Sequence, residues 1–214
     1  KIVRFKKLMD SPNERSSHSE ATPSLGGMAF FIVLMLSMYF NHAYDTYGVS
    51  TSIYPALTIL FFLGLKDDLV ILAPLTKLIG QSAASLFILM NPKFAIHSFH
   101  GFLNIDHLNH WAGIGIGFLI MLAVINAFNL IDGIDGLAAS IGIIAFSGFA
   151  VVFFFAERYF FGFTSLVMVG ILTGFLFFNL SSKNRIFMGD TGSMLIGFMV
   201  GLMSVRFLAL DTES

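Results

Sequence analysis

Seven runs of mostly apolar residues follow one another along the chain, at 25–44, 49–65, 76–90, 111–131, 136–156, 161–180 and 192–210. A helix needs about 20 such residues to cross the hydrocarbon of a bilayer, fewer where polar groups line a protein interior. The expected fold class is therefore an all-α polytopic integral membrane protein of about seven transmembrane helices. Composition agrees: 56% of residues are hydrophobic and 12% charged, against roughly 25% charged in soluble domains. A net charge of −1 argues against a nucleic-acid partner, and the absence of Cys excludes disulfides and thiolate metal sites.

The connections between runs are short except for 1–24 and 91–110, and no repeat is visible, so residues 1–214 read as one domain. The chain opens on Lys1 with no signal peptide and reads as the interior of a longer protein. Lys and Arg set the orientation, because positively charged loops stay cytoplasmic. With 1–24 inside, the inner loops hold Lys1, Arg4, Lys6, Lys7, Arg15, Lys66, Lys77, Lys183 and Arg185, and the outer loops hold only Lys93 and Arg158. Arg206, near the outer end of the last run, is expected to snorkel toward the headgroups.

That orientation puts three acidic blocks on one face: Asp67 and Asp68 in GLKDDL, Asp132 and Asp135 in DGIDG, and Asp190 in FMGDTGS. Ionisable groups at such depths are usually functional. Carboxylates with phosphate and water are the ligands Mg²⁺ favours. The glycines flanking each block allow backbone amides to approach a phosphate. Taken alone, Asp67–Asp68 reads as a helix end or N-cap and GDTG as a turn; together the blocks read as a site holding a diphosphate through metal and backbone.

The spacing of Asn126, Asn129, Asp132 and Asp135 is too long for one straight helix to aim all four inward, since nine residues bring the last to the opposite face. The helix is expected to end near Gly133, leaving Asn129 and Asp132 as neighbours and re-aiming Asp135. Asn donates to phosphate or accepts from a base or sugar, which suits a substrate pocket.

Four ordered blocks now carry a resemblance: DSPNERSSH with TPSLGG at 10–27, GLKDDL at 64–69, NAFNLIDGIDGLA at 126–138 and NRIFMGDTGS at 184–193. Over essentially the whole chain this resembles the polyprenyl-phosphate N-acetylhexosamine-1-phosphate transferase family, with the phospho-N-acetylmuramoyl-pentapeptide transferases as a sister branch. The opening block is more like the branch that begins O-antigen, enterobacterial-antigen and wall-polymer synthesis.

The resemblance implies transfer of a sugar 1-phosphate, GlcNAc-1-phosphate foremost, from a UDP-sugar to undecaprenyl phosphate. It implies Mg²⁺ or Mn²⁺, and a site on the cytoplasmic face of a bacterial inner membrane. It also implies catalytic roles for Asp67, Asp68 and Asp190, with Asp67 deprotonating or positioning the lipid phosphate. Metal ligation falls to Asp190, Asp67 and Asn129. Substrate contacts fall to Arg15, His18, Asn126, Asn129, Asp132, Asp135 and Phe187, the last stacking on uracil. The expected partners are the two substrates and the bilayer, with a homodimer as one form of assembly. Two departures stand out. Ser16 and Ser17 follow Arg15 where the family commonly has a basic residue, and the family's leading span and its C-terminal spans with a His-rich loop have no counterpart here.

The rival class is a secondary transporter, whose carboxylates should lie near the bilayer midplane in a repeated fold. A non-catalytic scaffold explains none of the blocks, and the signature of the CDP-alcohol phosphotransferases is absent. His97, His100, His107 and His110 form two HxxH pairs, a pattern that invites a metal, but they fall on the outer side and are read as part of an interfacial hairpin. The orientation is testable because the chain has no native Cys. With a membrane-impermeant thiol reagent on intact cells, Ser98→Cys should label and Ser182→Cys should not; the reverse pattern inverts the topology.

Overall fold

The computed structural model of the protein describes residues 9–10, 22–23, 26–46, 48–98 and 107–210. Seven α-helices lie among them: α1 Gly26–Phe40, α2 Ser50–Leu69, α3 Pro74–Leu89, α4 His110–Ile131, α5 Leu137–Phe155, α6 Tyr159–Asn179 and α7 Gly189–Leu208. Each falls on one of the apolar runs. The remaining regular structure is a two-residue antiparallel pair, β1 Met9–Asp10 with β2 Thr22–Pro23, and the short 3-10 turns Asn41–Tyr44 and Pro92–Phe94. Five segments are long and apolar enough to cross a membrane. The two others are α3, with 16 residues, and α2, whose last turn carries Lys66, Asp67 and Asp68.

Helix boundaries follow local chemistry. Pro74 opens α3, where its missing N–H would have had no partner anyway. The Asn109 side chain caps α4 by accepting from the Trp111 amide at 2.9 Å. Asp45 accepts from the Val49 and Ser50 amides at 2.9 and 2.8 Å and so seals the start of α2.

Helix α7 is the axis of the bundle, packed by α1, α2, α4 and α5. Over their most apolar stretches 83% of α7 is buried, against 22% of α4 and 33% of α5, although α7 is the less apolar helix. This inverts the soluble pattern because lipid is as apolar as Leu. The interior is selected for close fit, with small residues letting backbones approach. A Cβ on Gly197 would lie 2.7 Å from the Ile125 Cα, and one on Gly201 would lie 3.0 Å from the Met121 sulfur. The lipid-facing sides carry large groups such as Leu119, Ile144, Phe155 and Phe177.

One expectation is overturned. Arg206 does not reach outward: its side chain is fully buried. It donates to the Lys93 carbonyl at 3.0 Å and lies 5.4 Å over the Phe161 ring. The physical reason is the segment after α3. There Phe94, Ala95 and Ile96 are buried and cover the end of α7, so a carbonyl and an aromatic face take the place of headgroups. His97 and His110 stack, with ring centroids 6.4 Å apart, while His107 is exposed. Among the described residues no set of three His, Cys, Asp or Glu side chains forms a metal cage. His100 lies outside the described residues.

The close α4–α7 crossing generates a paired prediction. Gly197→Ala forces a methyl into the Ile125 backbone and should destabilise by about 1–3 kcal/mol. Gly148→Ala, on an open face of α5, should be neutral or stabilising by up to about 1 kcal/mol. Thermal unfolding in detergent measures both; equal effects would contradict the packing.

Candidate active site

The three acidic blocks meet at one end of the bundle. The GDTGS block is the first turn of α7 rather than a free turn. Glycines make the junction. A Cβ on Gly64 would lie 2.5 Å from the Thr191 Cα, and Gly27 leaves no room for one against Thr191 and Gly192. The Gly26 and Gly27 amides donate to the Phe187 and Met188 carbonyls at 3.1 and 3.0 Å. Because Gly64, Asp67 and Asp68 share a helix face at spacings of three and four, this contact carries both aspartates onto the start of α7.

Asp67 is buried. Its Oδ1 accepts from the Leu72 amide at 2.7 Å, and its Oδ2 pairs with the Lys77 ammonium at 2.5 Å. The same ammonium stands 3.0 Å from Asp190 Oδ1, so Lys77, on α3, bridges two carboxylates. Asn129, in the last turn of α4, donates through its amide nitrogen to Asp190 Oδ1 and, at 2.9 Å, to the Ser193 hydroxyl. Asp68 accepts from the Asp190 amide at 2.6 Å, from the Thr191 amide at 3.2 Å and from the Thr191 hydroxyl at 2.5 Å.

Helix α4 ends at Ile131, and residues 132–136 form turns leading to Gly136, whose φ of +74° suits glycine. The helix thus breaks where the spacing required, and the four polar residues part company. Asn129 faces Asp190. Asn126 instead donates to Gln81 on α3 and to the Leu122 carbonyl, at 3.0 and 2.8 Å. Asp135 pairs with Arg185 at 3.1 Å. Asp132 stays close enough to Asp190, Asp68 and Asp135 to feel their charge: burial above all, then those three neighbours, pushes its carboxyl up to about 7.

Asn179 was not singled out in the sequence. It is buried at the end of α6, accepts from the Gly136 amide at 2.7 Å and donates to the Ile186 carbonyl at 3.0 Å. One side chain thereby ties the 132–136 turns to the loop that delivers Asp190. Lys77 was equally missed as a site residue, since a lone lysine ten positions after an acidic pair has no local signature. Phe187 lies in the same loop, half-buried, two residues before α7. Arg15 and His18 lie outside the described residues.

Five carboxylates converge here, and among the described residues two cations, Lys77 and Arg185, are paired with them. Also among the described residues, the oxygens of Asp132 accept no hydrogen bond. Such a surplus of charge and open oxygens fits a hard divalent cation that shares its coordination with phosphate and water, an arrangement needing only one or two protein carboxylates.

The elevated Asp132 generates a pH prediction. Unfolded, it ionises near 4; folded, it keeps its proton to about 7. Between those values the folded state binds the extra proton, so its contribution to stability falls as pH rises. Without divalent cations, Asp132→Asn should therefore gain on the wild type by about 1–2 kcal/mol between pH 5 and pH 8, partial exposure screening the remainder. An equal offset at both pH values, read from thermal unfolding, would mean an ordinary carboxyl.

A family model described as Glycosyl transferase family 4 matches residues 50–208. The chain is 31% identical over 197 residues to the Bacillus subtilis protein named probable undecaprenyl-phosphate N-acetylglucosaminyl 1-phosphate transferase, covering 92% of this chain and 54% of that protein. It is 33% identical over 215 residues to the Mycolicibacterium smegmatis decaprenyl-phosphate N-acetylglucosaminephosphotransferase, covering 90% and 52%. It is also 30% identical over 213 residues to a Listeria monocytogenes phospho-N-acetylmuramoyl-pentapeptide-transferase, covering 92% and 65%. The chain thus spans between about half and two thirds of the length of these relatives.

Proposed function

The chain belongs to glycosyl transferase family 4, and on that footing we propose that it transfers a sugar 1-phosphate from a UDP-sugar to undecaprenyl phosphate, releasing UMP. GlcNAc-1-phosphate is the first choice of group, because two of the relatives are named for N-acetylglucosamine phosphate transfer to a polyprenyl phosphate. The reaction is placed at the cytoplasmic face of a bacterial inner membrane, as the first membrane step of an envelope polysaccharide. The observation that carries the reading is the meeting of all three acidic blocks around Lys77 and the first turn of α7. Carboxylates gathered at helix ends suit a substrate arriving from water, whereas an ion-coupled transporter would hold them near the midplane.

In this reading an oxygen of the lipid phosphate attacks the phosphorus attached to the sugar, and the bond to the leaving UMP oxygen breaks. That lipid phosphate is already largely ionised at neutral pH, so little base catalysis is required. Lys77 supplies a fixed positive charge between Asp67 and Asp190. Asn129 holds the Asp190 carboxylate in one orientation, and Asp67 holds Lys77. Asp190 and Asp132 would bind Mg²⁺ or Mn²⁺. Of the expected ligands Asp190, Asp67 and Asn129, Asp67 gives way to Asp132 because its two oxygens are engaged by the Leu72 amide and the Lys77 ammonium, and Asn129 serves through its hold on Asp190. When bound, the cation supplies Lewis-acid stabilisation of charge on the departing phosphate. Arg15, His18, Asp135 and Phe187 remain the candidates for nucleotide and phosphate contacts.

The test follows the bond that breaks. With UDP-sugar carrying ³²P in the sugar-proximal phosphate, undecaprenyl phosphate and the full-length protein, label should enter the lipid fraction as unlabelled UMP is released. Labelled UDP in the water phase would refute the reading, since it marks cleavage of the sugar C1–O bond. Asp190→Asn should slow turnover by about 10²–10³-fold or more, the scale of a lost electrostatic contact in a preorganised site.

A further inference from the structure

Asp68 resembles its neighbours in the acidic cluster but is placed for a different task. Both of its oxygens are occupied, and every donor among the described residues belongs to the first turn of α7: the Asp190 amide on Oδ1, and the Thr191 amide and hydroxyl on Oδ2. Among the described residues no cation pairs with it. Helix α7 has no cap of its own, since the residue before it, Met188, offers no side-chain acceptor. The first amides of a helix must find acceptors elsewhere, and a carboxylate also meets the positive end of the helix dipole favourably.

The surroundings are shaped for this contact. Gly189 has φ +70°, and a Cβ there would lie 2.7 and 2.9 Å from the two Asp68 oxygens. Gly64, one turn before Asp68 on α2, lies against the Thr191 backbone with no room for a side chain. Both glycines hold the end of α2 and the start of α7 at the separation the three hydrogen bonds need. One of those bonds is made by the backbone of Asp190 itself.

We propose that Asp68 is a positioning residue: it caps α7 from α2 and thereby aims the Asp190 carboxylate, without itself touching substrate or accepting the reaction's proton. This rests on the phosphotransferase reading above. It separates the two members of the GLKDDL pair, with Asp67 joined to the Lys77–Asp190 charge network and Asp68 to the helix start.

The test is a double-mutant cycle between Asp68 and Thr191 in the full-length protein, with kcat and both KM values read from UMP release. Asp68→Asn and Thr191→Val should each lower kcat by about 10- to 100-fold, as small misplacements of a reacting group do, with both KM values within about threefold. The double variant should be no worse than the worse single one, because both remove the same cap. Thr191→Ser keeps the hydroxyl and should recover kcat.

Hydrogen exchange of the peptide containing Asp190 and Thr191 gives a readout independent of activity. It should quicken in Asp68→Asn and stay unchanged in Asp67→Asn. A large loss in Asp68→Asn, with Thr191→Val near wild type and exchange unchanged, would overturn the proposal and put Asp68 on the substrate. If Asp68→Asn does not fold, the Thr191→Val and Thr191→Ser pair decides alone, since a hydroxyl-independent kcat is incompatible with the cap. If the wild type releases no UMP, the phosphotransferase reading fails, and the exchange comparison still decides whether the cap exists.

Discussion

The amides that open α7 must find acceptors inside a packed bundle, and the Asp68 carboxylate reaches across from α2 to provide them. The rest of the site hangs on that contact. It fixes where the axial helix begins, and so where Asp190 stands. It also requires α2 and α7 to approach closely, which explains glycine at positions 64 and 189 better than any role in phosphate binding does. Once α7 is in place, α4 crosses it at Gly197 and Gly201, and the end of α4 delivers Asn129 to Asp190.

Charge is the second constraint. Asp67 and Asp190 share Lys77, an arrangement that orients both carboxylates about one ammonium. Asp135 is neutralised separately by Arg185. Asp132 is left without a counter-ion among the described residues, and burial, then the charge around it, raises its proton affinity. The cluster is thus stable as a protein feature while keeping one region of surplus negative charge.

The helices were legible because each apolar run is long and bounded by polar residues. The break near Gly133 was legible because a 100° turn per residue cannot keep positions 126 to 135 on one face. The meeting of the blocks was expected from orientation together with their shared chemistry, but their pairings were not. Asn126 turns to Gln81 rather than to the acids. Asn179 and Lys77 carried no local signal, since a buried Asn in an apolar run and a lysine at the start of a helix both have ordinary explanations. Arg206 was misplaced because the rule that long cations snorkel assumes lipid beside the helix end, and here the segment after α3 is there instead.

By itself the sequence determined the number and span of the helices, the three acidic, glycine-flanked blocks, and the family. These rest on hydropathy and local order, which act along the chain. The tertiary structure decided which of two adjacent aspartates joins the charge network and which caps a helix. Neighbours on a helix point 100° apart, and only the position of α7 beside α2 assigns each direction its partner.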